Sequence, residues 1–193
     1  MALDAETREQ LLETVRRFVR EKCVPIEAQV AENDRVPDSV IAEMRELGLF
    51  GLSIPTEYGG LGLTMEEEVL VAIELGHTSP AFRSVIGTNV GIGSQGVVMF
   101  GNDAQKNEWL PKLASGEVIA SFALTEPGAG SDAASVKVTA VRDGDHYVVN
   151  GTKRYITNAS RAGMFTLMAR TDPNKKGAGG ISAFIVPAKT PGL

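Results

Sequence analysis

From Asp4 to Ser115 the apolar positions recur at three- and four-residue intervals, the period of helices that bury one face. Asp4 is placed to cap a helix whose stripe is Leu11, Leu12, Val15, Phe18 and Val19. Pro25 interrupts that helix and suits the first turn of a second, with Ile26 and Val30 on one face. A third opens at Asp38, turns Val40, Ile41, Met44 and Leu47 inward and stops at Gly48. Pro55 and three glycines make "SIPTEYGGLGL" (53–63) a loop. Thr64 and Glu67 have the spacing of a capping box for a helix that carries Val69, Leu70, Ile73 and Leu75. After Pro80 the pattern predicts a helix through Gly87, Gly91, Gly93 and Gly96. Each glycine costs up to about 1 kcal/mol of helix propensity relative to Ala, which close approach of another helix or of a ligand would offset. Asp103 is expected to cap the last helix, with Trp109, Leu110 and Leu113 inward and Gly116 ending it.

From Val118 the period shortens to two. "VIASFALT", "SVKVTAV", "HYVVNG", "RYIT", "MFTLMAR" and "ISAFIVP" are short, rich in Val, Ile, Thr and aromatics, and often alternate. Asp143-Gly144-Asp145 reads as a tight hairpin turn and Asn150-Gly151 as a second turn. The expected organisation is a helical domain over 1–117 and an antiparallel β domain over 118–193. Leu193 closely follows a strong strand, so the sheet is expected to be incomplete there, with an exposed edge, as in a fragment.

Composition narrows the function classes. The 193 residues, 43% hydrophobic and 22% charged, suffice for one large domain or two small ones with a real core. A net charge of −5 leaves no basic excess to neutralise phosphates, which argues against broad nucleic-acid binding. The weakly polar run "SVIGTNVGIGSQGVVMFG" carries Ser84, Asn89, Ser94 and Gln95, and reads as a buried helix rather than a membrane span. Cys23 is the only cysteine, so a reducing compartment is expected. The acidic, polar start "MALDAETREQ" resembles neither a secretory signal nor a transit peptide, and the expected location is cytoplasmic.

Two stretches concentrate candidate chemistry. "FALTEPGAGSD" (122–132) leaves an apolar strand, turns on Pro127 and two glycines, and offers backbone N–H groups and hydroxyls to one side. Such a nest suits an anion or the edge of a heteroaromatic ring, although a turn that merely reverses the chain fits the same residues. The dinucleotide fingerprint G-x-G-x-x-G is absent, which disfavours a Rossmann site. In "NGTKRYITN" (150–158), strand alternation would put Tyr155 and Thr157 on one face, either as a cross-strand pair or as a cover for a flat ring. His77 and His146 lack metal-ligand spacing, and no metal is expected. Glu66, Glu67 and Glu68 suit a helix N-terminus, and Cys23 reads as packing.

Taken together, "ALTEPGAGSDAAS" and "NGTKRYITN", with "PTEYGGLG" (55–62) and "GNDAQKNEWLPKLASGE" (101–117), resemble the acyl-CoA dehydrogenase family. The likeness covers that family's N-terminal helical domain and most of its middle β domain; its C-terminal helical domain has no counterpart here. It implies an α+β fold, an all-α domain followed by an antiparallel β-barrel-like domain. It also implies FAD, with Phe122, Ala123, Leu124, Thr125, Glu126, Pro127, Gly128, Ala129, Gly130 and Ser131 along the flavin. The Leu124 amide and Thr125 hydroxyl would meet the pyrimidine edge. Ser131 would sit near the flavin phosphate and contact substrate. Tyr155, Ile156 and Thr157 would cover the other side, the Thr157 hydroxyl near N5; most members carry Trp at the position of Tyr155.

The implied reaction is α,β-dehydrogenation of an acyl-CoA thioester in fatty-acid or amino-acid catabolism. Electrons would go to an electron-transfer flavoprotein, and the intact enzyme would be a homodimer or homotetramer. The catalytic carboxylate is expected beyond Leu193, and none of these residues is taken as the base; Glu126 and Asp132 are read as holding the loop. Gln95, Met99 and Phe100 would either shape an acyl channel or pack between helices. Alternatives are an acyl-CoA oxidase or flavin monooxygenase on the same scaffold, and a truncated, non-catalytic partner subunit.

Overall fold

The computed structural model describes residues 2–193, which divide into a unit reaching Val118 and a second from Ile119 to Leu193. Asp4 caps the first helix, α1 (Ala5–Phe18), its Oδ1 accepting the Thr7 N–H at 2.8 Å. Leu12, Val15 and Phe18 face inward. Pro25 does not break the helix abruptly. A π-turn over Val19–Cys23 and a 3-10 turn over Val24–Ile26 lead into α2 (Glu27–Asn33), keeping Val19 and Cys23 buried. Burial, followed by the charges of Glu43 and Glu27, pushes the Cys23 thiol up to about 12, so it packs rather than reacts. Helix α3 (Asp38–Glu46) buries Val40, Ile41 and Met44, and Gly48 stops it in the left-handed region at φ +70°.

Helix α4 (Met65–Leu75) begins with the expected capping box. Thr64 Oγ1 accepts the Glu67 N–H at 3.4 Å, and Glu67 Oε2 accepts the Thr64 N–H at 2.7 Å. Glu67 Oε1 also takes the Leu3 N–H at 2.6 Å. Thr64→Ala is therefore expected to lower stability by about 1 kcal/mol, read as a lower urea midpoint with the slope unchanged. Val71 and Leu75 are buried, whereas Val69 and Ile73 are exposed.

The glycine-rich stretch is two helices rather than one. Helix α5 (Pro80–Val90) ends at Gly91, whose φ −113° and ψ −115° lie off the helical region, and α6 (Gln95–Phe100) starts four residues later. Buried Asn89 donates both Nδ2 protons, to Leu113 O at 2.9 Å and Val118 O at 2.8 Å, pinning the end of α5. Helix α7 (Asp103–Ala114) is capped by Asn102, not Asp103: Asn102 Oδ1 accepts the Gln105 N–H and Gln105 Oε1 the Asn102 N–H. Leu110 and Leu113 are buried; Trp109 is only half-buried, with the Lys112 ammonium 5.6 Å from its ring centre. Phe50, Phe82, Leu49, Ile54 and Ile86 complete the core of this unit.

The second unit holds β1 (Ala120–Ala123), β2 (Thr139–Asp143), β3 (His146–Asn150), β4 (Met164–Arg170) and β5 (Ile181–Pro187). Strands β2 and β3 form the expected hairpin around Gly144-Asp145. The sheet is mixed, not wholly antiparallel as the strand pattern suggested. Strand β4 pairs parallel with β1 from Ala120↔Met164 to Ala123↔Leu167, parallel with β2 at Thr139↔Arg170, and antiparallel with β5. Alternation reveals which residues share a face, but not which distant strand they meet or in which direction. Val138, Ala140 and Ala169 form a small core with Phe184 against it. Among the described residues no helix is long and apolar enough to cross a membrane.

Candidate functional site

The two stretches singled out in the sequence meet in the β unit. Strand β1 buries Ser121 and Ala123 and then leaves the sheet. A tight turn follows with Pro127 and Gly128 at its tip: the Glu126 N–H donates to Ala129 O at 2.9 Å, and the Ala129 N–H to Glu126 O at 3.2 Å. Pro127, Gly128, Gly130, Ser131 and Asp132 are exposed, while Glu126 and Ala129 point inward. Ser135 donates its hydroxyl to Asp132 Oδ2 and its N–H to Asp132 O, closing the loop into a short 3-10 turn.

The segment after β3 is not a strand. Tyr155 stands at φ +57° and Asn158 at φ +63°, and the chain bends through both. The alternation expected to align Tyr155 with Thr157 therefore does not apply. Tertiary bonds impose the bend. The Ser121 hydroxyl donates to Thr157 O at 2.6 Å, and the Arg154 N–H to Thr125 O at 2.8 Å. Both are non-local, so no short-range pattern announces them. A left-handed non-glycine residue costs of order 1 kcal/mol or more and persists only where its surroundings over-determine it. Tyr155 is held with its side chain outward, 77% exposed, and the Arg154 guanidinium lies 4.5 Å from its ring centre. Thr157 is exposed, and Ile156, Thr125, Leu124 and Phe122 are half-buried.

A buried ion pair joins the two stretches. Glu126 Oε1 accepts from Lys153 Nζ at 2.8 Å and from the Val138 N–H at 2.9 Å, and Oε2 accepts the Lys137 N–H at 2.6 Å. Lys153 Nζ also donates to Leu124 O at 2.9 Å. Burial alone would raise the Glu126 carboxyl, but the bonds from Lys153, Lys137 and Val138 and the Lys153 charge together hold it below the ordinary carboxylate range. Glu126 thus stays ionised with its oxygens committed to three donors.

Sequence reasoning missed Lys153 and Arg170. Arg170 reaches across to Ala134 O at 2.8 Å and Val136 O at 3.2 Å, anchoring the chain just after the loop. The bonds that tie them to the loop have no local signal, since those partners lie 27 to 36 residues away.

Gly128 and Gly130 have no steric reason within the chain. Neither lies in the left-handed region, and a Cβ on either would meet nothing within 4 Å. What they provide is bare, exposed backbone beside Ser131, where a partner can approach closely. The two joined stretches thus carry an outward aromatic ring at Tyr155, hydroxyls at Thr125, Ser131 and Thr157, and uncovered backbone. These groups suit a flat heteroaromatic with a polar rim and an attached anion. Among the described residues no group of three or more His, Cys, Asp or Glu is arranged to hold a metal ion.

Residues 5–117 match the family model described as acyl-CoA dehydrogenase, N-terminal domain, and residues 121–193 the one described as acyl-CoA dehydrogenase, middle domain. An acyl-CoA dehydrogenase of Bacillus subtilis is 37% identical over 189 residues, covering 97% of this chain and 50% of the relative. A chain in the structure of the electron transferring flavoprotein of Acidaminococcus fermentans matches with a TM-score of 0.91 at 33% identity, over 100% of this chain and 50% of that chain. The glutaryl-CoA dehydrogenase of Mycobacterium smegmatis in complex with FADH2 matches with a TM-score of 0.87 at 36% identity, over 98% and 47%. The chain spans about half the length of these relatives.

Proposed function

This chain belongs to the acyl-CoA dehydrogenase family, and from that premise we propose that it supplies the flavin-holding part of an enzyme that dehydrogenates an acyl-CoA thioester between its α and β carbons. The observation that carries the reading is the pairing of uncovered backbone at Gly128 and Gly130 with the outward Tyr155, the two segments being locked together by Lys153 and Glu126. The FADH2 complex of the similar glutaryl-CoA dehydrogenase supports FAD as the occupant.

Bound FAD supplies a two-electron acceptor, a chemistry no side chain has. The protein's task is to hold and tune it. Thr125 and Thr157 offer donors to the polar rim of the ring system, which would stabilise negative charge arriving there. Tyr155 would cover an apolar face of the ring system, with the Arg154 guanidinium 4.5 Å from its own ring centre. Ser131 and the neighbouring backbone would hold the phosphate side and contact the thioester. Glu126 is no candidate for proton abstraction, because its carboxylate is buried and fully engaged. The similar electron transferring flavoprotein structure supports a flavoprotein partner for the electrons. We extend the proposal to a homo-oligomeric enzyme of fatty-acid or amino-acid catabolism.

The purified protein is expected to show flavin absorbance, and anaerobic addition of short, medium, long or branched saturated acyl-CoAs should bleach it. Protein that stays colourless with excess FAD overturns the cofactor, and a flavin that no acyl-CoA bleaches overturns the reaction.

A further inference from the structure

The buried ammonium of Lys153 has a second partner besides its counter-ion, and that partner lies in the loop read as the ligand cradle. Its side chain is 10% exposed, and Nζ is shared between Glu126 Oε1 at 2.8 Å and the carbonyl oxygen of Leu124 at 2.9 Å. The chain contains no cis peptide among its described residues, so the Leu124–Thr125 peptide is trans and its N–H points opposite to its C=O. With the Leu124 carbonyl turned onto Lys153, the Thr125 N–H is directed away from the ion pair. The next carbonyl, Thr125 O, accepts the Arg154 N–H at 2.8 Å.

A cation on a carbonyl oxygen draws electron density along the amide and makes the attached N–H a stronger donor. The effect is larger in a buried, low-dielectric setting than in water. A simple loop staple would need only a neutral donor here. A buried charge that must itself be neutralised by Glu126 is an expensive way to hold a loop, and it gains a rationale if its field is used.

We propose that Lys153 is a positioning residue that polarises the Leu124–Thr125 peptide, presenting the Thr125 N–H as a strengthened donor to the bound flavin ring and thereby favouring its reduced form. The inference rests on the flavin reading above and names the chain's own device for tuning that site.

The test compares wild type with Lys153→Met and with the double variant Lys153→Gln/Glu126→Gln. The double variant removes the unpaired carboxylate charge and keeps a neutral amide donor for the Leu124 carbonyl, so a merely structural role is largely repaired in it while the polarising charge stays absent. Two readouts are independent of turnover. In the apoprotein, hydrogen exchange at the Thr125 amide is expected to slow about tenfold in both variants, because the unpolarised N–H is less acidic, whereas loss of a mere staple would speed it. In the FAD-loaded protein, FAD affinity is expected to fall about tenfold in both. The two-electron reduction equilibrium should shift about tenfold toward the oxidised form, about 30 mV for a two-electron couple. Lys153→Arg, which keeps the charge, should recover most of that potential shift.

Wild-type protein that takes up no FAD overturns the flavin reading and this inference with it. Wild type that binds FAD normally, beside variants of unchanged potential, overturns this inference alone. Full recovery of the potential in the double variant also overturns it, since that outcome reduces Lys153 to a staple.

Discussion

Glu126→Leu is expected to destabilise the β unit by about 3–5 kcal/mol, the range for breaking a buried ion pair from one side. The substitution leaves the Lys153 ammonium buried with only the Leu124 carbonyl as partner, and strips the Lys137 and Val138 N–H groups of their acceptor. Urea unfolding followed in the β unit checks it; a loss below about 1 kcal/mol would show that the pair is replaceable. Glu126→Gln should fall between the two, because it keeps an acceptor but not the charge. Acid acts on the same bond. The Glu126 carboxyl is held below its ordinary 4.5, so its contribution is complete above that pH and is lost as pH falls through the lowered native value. Wild type should therefore lose more stability than Glu126→Leu when pH is taken below 4.5, and the two curves should converge.

Gly60→Ala is expected to cost about 3 kcal/mol or more, at or above the upper end of typical overpacking penalties. A Cβ there would lie 2.0 Å from Ile54 O and 2.7 Å from Gly51 O. Both obstacles are backbone, and both are committed: Leu61 N–H donates to Gly51 O at 2.8 Å and Gly62 N–H to Ile54 O at 2.9 Å. No side chain can swing aside to make room, so the loop over 51–63 must open. Thermal or urea unfolding of the helical unit reads the effect. The neighbouring Gly59→Ala is a control of a different kind, because nothing crowds its Cβ position and only its φ of +83° opposes a side chain.

Flavin uptake joins these two tests to the function. If Lys153 and Glu126 hold the cradle, Glu126→Leu should also lose FAD affinity under conditions where it remains folded, whereas Gly60→Ala, in the other unit, tests the helical scaffold.

The features legible along the chain were those whose partners are near in sequence. The Thr64–Glu67 box, the Asp4 cap and the Asp143-Gly144-Asp145 hairpin each close within a few residues, where side-chain reach alone decides the geometry. The choice of Asn102 over Asp103 as cap shows the limit of that reading, a slip of one residue between two good capping side chains. The family likeness, too, came from short runs of residues whose order alone could be matched.

Direction and conformation were settled by contacts across long stretches of chain. The parallel run of β1 beside β4, the break at Gly91 behind buried Asn89, and the left-handed Tyr155 all depend on partners brought close only by folding. Periodicity encodes which side of an element is apolar, and so it yields helices, strands and the residues inside them. It carries no record of which distant carbonyl meets a given N–H or ammonium. The bonds from Lys153 to Glu126 and Leu124 therefore belong to the folded chain, where burial lowers the dielectric and makes their geometry matter.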